Sequence, residues 1–358
     1  MNLINYNHRI IENECIDLAK KLASQIPALF QKKIFITGAN GLIGSFLCDF
    51  FAHLNENFKA DIKIVASSYS EPENANRIKH LIERDDFKYF SWDCSKYLNS
   101  LQKKLMDCDI DVAIFCSGYG QPGKFLKDKT KTSLINTIGP FSILEHLQNQ
   151  ERKSKFLFLS SSEIYGSPPE DQVPTSENYS GDFDLNNPRE CYKQSKKLGE
   201  VITSCYNGKK IDVKIARVAL TYGPGALIGD KRVLQEFIFK AMFDREIRMM
   251  DEGLSKRNYL YLTDAAMIIL NLILNSKCRK MVYNVGNDEE TVTVFDVAEK
   301  IGNILDAPVK KGKRSLGSAP KLVYLSMNRY KNDINTKNLS LTPFDEGIEK
   351  TIRWFQDE

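Results

Sequence analysis

The stretch KIFITGANGLIG, residues 33–44, decides the fold. Lys33 to Thr37 is a short apolar run that reads as a buried strand, and a helical pattern opens near Leu42. Between them stand glycines at 38, 41 and 44, and each spacing has its own reason. Gly38 permits a tight turn, Gly41 lets the backbone approach a pyrophosphate, and Gly44 lets the helix lie close on the strand. A helix that starts here offers free N–H groups and the positive end of its dipole to an anion. Strand before and helix after is the context that makes a glycine-rich turn a dinucleotide cradle. On this reading Gly38, Asn40, Gly41, Leu42, Ile43 and Gly44 hold the cofactor phosphates.

The alternation continues outward from that stretch. DIKIVASS (61–68), FKYFSW (87–92), DVAIFCS (111–117), KFLFLSS (155–161), VKIARVAL (213–220) and MVYNVG (281–286) read as further strands. Helical patterns fill the intervals, as at Thr132 to Gln148, Val294 to Leu305 and Phe344 to Phe355, while 310–319 reads as a loop. Apolar strands alternating with helices predict a Rossmann-type doubly wound parallel sheet, with a smaller C-terminal substrate-binding cap. The expected division is a helical extension over 1–30, where Ile10, Ile11, Ile16, Leu18 and Leu22 recur at helical spacing. A cofactor-binding part follows over 31–222 plus about 256–290, and the cap takes 223–255 plus 291–358.

Bulk properties narrow the function classes. The 358 residues are 42% hydrophobic and 27% charged, enough to bury a real core. A net charge of +4 without a dense Lys/Arg run predicts no nucleic-acid partner. The eight cysteines form no CxxC pair and the four histidines no HxxxH pattern, so reduced thiols and no metal centre are expected. Glu12, Glu14 and Asp17 interrupt any leader-like run, and the greasiest stretch, Ala265 to Leu274, is too short to span a bilayer. A cytoplasmic protein without membrane association is the expectation.

The carboxyl ends of the strands supply the remaining candidates. An acidic residue after the second strand would hold the ribose 2′-hydroxyl of NAD, yet Ala66, Ser67 and Ser68 stand there. Arg77, a few residues on, is placed to meet a 2′-phosphate, so NAD is expected with NADP left open. Ser67, Asp93, Cys94, Cys116 and Ser117 complete the cofactor set. Tyr192 and Lys196 lie four apart in a helical pattern, which puts phenol and ammonium on one face. A neighbouring cation stabilises a phenolate, so Tyr192 is expected to act as a base below its ordinary pKa. Ser161 ends the fifth strand, where its hydroxyl is placed to share the substrate's hydrogen bond.

The GxxGxxG spacing with a Ser–Tyr–Lys set resembles the extended branch of the short-chain dehydrogenase/reductase superfamily. LSSSEIYG (159–166), PRECYKQSKKLGE (188–200), ARVALTYGPG (216–225), DEGLSKRNYLYLTDAA (251–266) and YNVGNDEETVTVFDVAEKI (283–301) follow in order. Together they resemble the NAD-dependent epimerase/dehydratase family acting on nucleotide sugars, from about Lys32 to about Phe355. Ser161-Ser162-Glu163 followed by Ile-Tyr-Gly is most similar to the Thr-Ser-Glu-Val-Tyr-Gly of UDP-glucuronate decarboxylases, and Arg189 and Arg257 fit that subgroup. The resemblance implies Ser161, Glu163, Tyr192 and Lys196 as catalytic residues, with Lys196 also meeting the nicotinamide ribose and Asp93 the adenine. It implies Ser162, Arg189, Arg232 and Arg257 as substrate-binding, and a homodimer paired through the 132–148 helix and the helix bearing Tyr192. Sugar-nucleotide 4,6-dehydratases carry Asp where Ser162 stands, and the Asn that commonly contacts the sugar nucleotide is Leu220 here. CSGYGQPGK (116–124) also departs from the usual loop. Decarboxylation of a uronic acid is expected first and 4-epimerisation second; an NADP-dependent reductase or a silent dinucleotide-binding module are the alternatives.

Overall fold

The computed structural model describes residues 8–96, 105, 108–227, 229–313 and 322–356. Seven strands form one sheet: β1 (Lys33–Thr37), β2 (Lys63–Ser68), β3 (Phe87–Ser91), β4 (Val112–Phe115), β5 (Ser154–Ser161), β6 (Ile211–Val218) and β7 (Val282–Val285). Their spatial order is β7-β6-β5-β4-β1-β2-β3, and every pairing is parallel. The chain runs outward from β1 to β3, then returns to place β4 on the other side of β1. That reversal opens a crevice at the carboxyl ends of β1 and β4, where open α/β sheets bind ligands.

The strands alternate their burden between two apolar layers. Ile34 and Ile36 of β1 join one cluster, with Phe46, Leu47, Phe50 and Phe51 of helix α2 (Leu42–Phe58). Phe35 joins the other, with Phe115, Phe156, Phe158, and Ile143, Leu144 and Leu147 of helix α3 (Lys129–Asn149). Period-two alternation inside continuously apolar strands is what a sheet covered on both faces requires. The α2–α4 helices, with α4 spanning Glu190–Cys205, are the ones that carry or frame the site.

The first helix, α1 (His8–Lys21), is keyed into the core rather than appended to it. Ile11, Cys15, Leu18 and Leu22 are buried, and Glu14 accepts from Thr263 while Lys21 pairs with Asp264. Thr263 and Asp264 open helix α5 (Leu262–Leu274), which is buried from Leu262 to Ile273. A helix apolar on all sides belongs in the interior. Among the described residues no helix is long and apolar enough to cross a membrane.

The cap is built from Val233–Phe239, Val294–Leu305, Phe344–Gln356 and short strand pairs. Lys256–Arg257 pairs with Val292–Thr293, and Val309–Lys310 pairs with Ile247–Arg248. Of the expected 310–319 loop, residue 310 is therefore in a strand pair, and 314–319 lie outside the described residues.

Candidate active site

The glycine-rich turn has the geometry its sequence demands. Gly38 adopts φ +65°, and a Cβ there would fall 2.8 Å from the Cys116 carbonyl carbon. A Cβ on Gly44 would fall 2.4 Å from the Gly38 carbonyl oxygen, so α2 reaches this close to β1 only without a side chain. Gly41 is the N-cap of α2 and brings no capping side chain, which leaves the first-turn N–H groups facing the crevice. The Asn40 side chain turns the other way, to the Ser70 hydroxyl at 3.0 Å and the Arg77 amide at 3.1 Å. It braces the loop after β2, and only its backbone belongs to the turn.

The adenosine end is framed by strand termini. Ser67 is buried with a hydroxyl oxygen unpartnered among the described residues, and Ser68 pairs with Tyr89 at 2.6 Å. Burial raises the Asp93 pKa, but hydrogen bonds from Ser95 and Lys131 outweigh it and leave the carboxyl below its ordinary range. Lys131 also sits 3.9 Å over the Tyr69 ring. Cys94 donates to the Ser117 hydroxyl at 3.4 Å, and burial pushes both the Cys94 and Cys116 thiols up to about 12. These groups, with the open helix N-terminus and the crevice at the topological switch, fit a dinucleotide. Arg77 is not available for a 2′-phosphate. It is buried, with its guanidinium bonded to the carbonyls of Asn40 and Gly225.

The chemistry gathers in a cavity of about 950 Å³ between sheet and cap. Ile43, Cys116 and Ser117 line it from the cofactor side, and Ser161, Ser162, Glu163, Tyr192 and Lys196 from β5 and α4. Arg189, Arg232 and Arg257 line it as well, so all four expected substrate-binding residues meet the four expected catalytic ones. Ser161 ends β5 and the chain then makes one tight helical turn, Ser162–Tyr165, whose Glu163 amide donates to the Ser161 hydroxyl. Tyr165 anchors that turn through Asn284 at 2.6 Å and Arg217 at 3.0 Å.

Two electrostatic expectations are overturned. Tyr192 is raised, not lowered, to about 12: burial removes it from water, and the opposing hydrogen bond with Ser161 recovers only part of that. Lys196 does not offset this, because its ammonium is bonded to the Leu159 carbonyl at 2.8 Å and is itself desolvated, with its pKa pushed down to about 8. A cation one helical turn away is worth less than complete removal from solvent. Arg232 likewise is no free cation, since Asp230 holds it through two nitrogens at 2.6 and 3.1 Å. Arg257 is the reverse case: burial lowers its pKa, and no described carboxylate forms an ion pair with it. Arg189 pairs with Glu163 at 2.5 Å beside Tyr192.

Three further site residues were not named among the candidates read from the sequence. Phe125 stacks face to face on Tyr192 at 4.8 Å and 13°, and Arg189 lies 5.4 Å above the same ring. Gln121 reaches Asp230 at 2.7 Å across 109 positions. Asn136, wholly buried on α3, bonds Ser195 at 2.9 Å and keeps its carbonyl oxygen unpartnered among the described residues. That oxygen and the Lys196 ammonium face the same point, 3.4 and 3.5 Å from where a Cβ on Gly118 would stand.

The family model for the NAD dependent epimerase/dehydratase family matches residues 34–286, which contain the turn, the Ser–Tyr–Lys set and the sheet just described. The chain belongs to that family. A UDP-glucuronic acid decarboxylase 1 from Xenopus tropicalis is 27% identical over 344 residues, covering 92% of this chain and 73% of that protein. A dTDP-D-glucose 4,6-dehydratase from Dictyostelium discoideum is 30% identical over 283 residues, covering 77% and 63%. An epimerase from Methanothermobacter thermautotrophicus superposes with TM-score 0.79 at 20% identity, covering 95% of this chain and 96% of that one. The family's nucleotide-sugar enzymes include decarboxylases, epimerases and dehydratases, and the cavity must be read for the choice among them.

Proposed function

We propose that this family member decarboxylates a nucleotide-linked uronic acid after transient oxidation of the sugar at C4. The observation that carries the reading is the Glu163–Arg189 pair beside Tyr192, with Ser162 next to it in the same cavity. A serine cannot donate a proton to a departing hydroxyl as a carboxylic acid can, which disfavours 4,6-dehydration. Relatives named UDP-glucuronic acid decarboxylase agree with this choice.

Bound NAD supplies the acceptor, and later the donor, of a hydride at the sugar C4. Tyr192 takes the 4-hydroxyl proton and returns it, with Ser161 sharing the hydrogen bond. Its pKa near 12 in the ligand-free site must fall for this, and a positive charge brought near the phenol by an oxidised cofactor would act in that direction. Lys196 and Asn136 orient the cofactor end of the cavity. A 4-keto uronic acid is a β-keto acid, which releases its carboxyl as CO2 without further activation. Arg257 receives an anionic group of the substrate, because a desolvated guanidinium lacking a carboxylate partner is stabilised by one. Glu163, paired with Arg189, is the residue this reading assigns to steering protonation at C5 after CO2 departs.

A second reading, 4-epimerisation, is favoured by the cavity itself: about 950 Å³ leaves room for a keto sugar to turn over beside Tyr192. Incubation with UDP-, GDP-, CDP- and dTDP-linked sugars and uronic acids, with products read by mass and NMR, separates the cases. Loss of CO2 supports the proposal; an unchanged mass with inverted C4 supports the second reading; loss of water overturns both.

Dimerisation through α3 and α4 belongs to the same proposal. Leu134 on α3, and Leu198 and Val201 on α4, are exposed apolar side chains on the two helices that pack together. Sedimentation equilibrium should give twice the chain mass at micromolar concentration, and a monomer there counts against this surface.

A further inference from the structure

We infer that Gln121 is a positioning residue for Tyr192, transmitting the placement of the cap to the catalytic phenol through Phe125. The inference rests on Tyr192 being the base, a role shared by the decarboxylase and epimerase readings.

The path can be followed bond by bond. The Gln121 side-chain amide donates to Asp230 Oδ1 at 2.7 Å, joining the loop after β4 to the cap segment before Val233. Only the NH2 of a glutamine can face a carboxylate, so the orientation of the amide follows from chemistry. Asp230 is buried and is held as a carboxylate: burial alone would raise its pKa, but the Arg232 hydrogen bonds and charge outweigh it. The contact is therefore a partly buried, charge-assisted hydrogen bond, stronger than a neutral one.

The Gln121 backbone does the second half of the work. Gln121 is the N-cap of the helical turn Pro122–Phe125, and its carbonyl accepts from Lys124 at 2.9 Å and from Phe125 at 3.1 Å. The far end of that turn is held by α3, where Thr132 donates to the Phe125 carbonyl at 3.2 Å. Cys191 on α4 also donates to that carbonyl at 3.8 Å, so Phe125 is held between the cap, α3 and α4, and its ring lies parallel to Tyr192 at 4.8 Å. Arg189, the partner of Glu163, covers the same ring. One amide couples cap position to the ring that sets the plane of the phenol, and to the cation beside it.

In the loop between β4 and α3, Gly120 and Gly123 have no atom within 4 Å of an added Cβ. The loop takes its position from Asp230 on the cap side and from Thr132 and Cys191 at Phe125.

The test compares Gln121→Ala, Phe125→Leu and the double variant, each checked for an unchanged melting temperature. With whichever sugar nucleotide the wild type turns over, Gln121→Ala should lower kcat at least tenfold while leaving KM within twofold. The double variant should be no slower than Phe125→Leu, because both changes break one path. A rise in KM with unchanged kcat would mean that Gln121 acts through Arg232 on substrate binding, and additive losses would mean independent roles; either overturns the inference. A readout without substrate covers the case in which no sugar nucleotide reacts. Protein labelled with ¹³C-tyrosine gives a Tyr192 ring resonance, assigned by its disappearance in Tyr192→Phe. Loss of the stacked ring current should move it in Phe125→Leu and in Gln121→Ala, and an unmoved resonance in Gln121→Ala refutes the coupling. Failure of the decarboxylase reading shows separately, as a wild-type product that has not lost CO2.

Discussion

Replacing Lys196 with methionine removes a buried ammonium while keeping most of the side-chain volume. In the folded chain desolvation pushes the Lys196 pKa from 10.5 down to about 8. Between those values the unfolded chain still holds a proton that the folded chain has released. Stability of the wild type therefore rises with pH across this window, and the burial cost is fully felt below pH 8. A drop of that size corresponds to ~3 kcal/mol. Methionine binds no proton, so its stability curve lacks the rise. The difference between wild type and variant should then grow by ~3 kcal/mol in favour of the wild type from about pH 7 to about pH 10.5. Pairing the two chains at each pH removes the titration of the other groups, including the raised tyrosines, which both share. The lost hydrogen bond to the Leu159 carbonyl is nearly constant, because a neutral amine still donates. Urea unfolding of cofactor-stripped protein, followed by fluorescence of the buried Trp92 and Trp354, measures the difference. Parallel stability profiles across this range would refute the claim that Lys196 is held desolvated.

Tyr192→Phe should keep the fold and NAD affinity but lower turnover by about 10²–10⁴, the worth of a positioned acid–base group; product formation under saturating substrate checks it, and near-normal turnover removes the mechanism. Gly41→Val should abolish NAD binding while the chain still folds, since a Cβ at this position already falls 2.9 Å from the Gly38 carbonyl and the branch extends toward the open helix terminus. Equilibrium titration with NAD settles that, and unchanged affinity would mean the phosphates lie elsewhere. Arg257→Lys should raise the sugar-nucleotide dissociation constant roughly tenfold and leave NAD binding alone, because an ammonium cannot grip an anion through two parallel donors; calorimetry with each ligand separates the two.

How much of this was legible before folding depends on the range of the interaction. The strands at 33–37, 87–91 and 154–161, and the helices opening at Leu42 and Val294, lie within a few residues of where hydrophobic period and glycine spacing put them. These are local properties: a period of two or of 3.6 is written in consecutive residues. The same holds for Tyr192 and Lys196, whose shared helix face follows from their spacing, and for Ser161 at the end of its strand.

The amino-acid sequence by itself therefore determined the parallel sheet, the glycine-rich turn and the shared helix of Tyr192 and Lys196. Only the tertiary structure decided what each charge does. Arg77 lies buried against Gly225, 148 positions away, instead of awaiting a phosphate, and Arg232 is held by an aspartate that Gln121 reaches from 109 positions upstream. Phe125 meets Tyr192 only because β4 and α4 converge at the crevice. Desolvation, which sets Tyr192 near 12 and Lys196 near 8, is a property of everything packed around a group. Spacing along the chain fixes which side chains are neighbours on one element, whereas protonation and pairing depend on water that distant elements exclude.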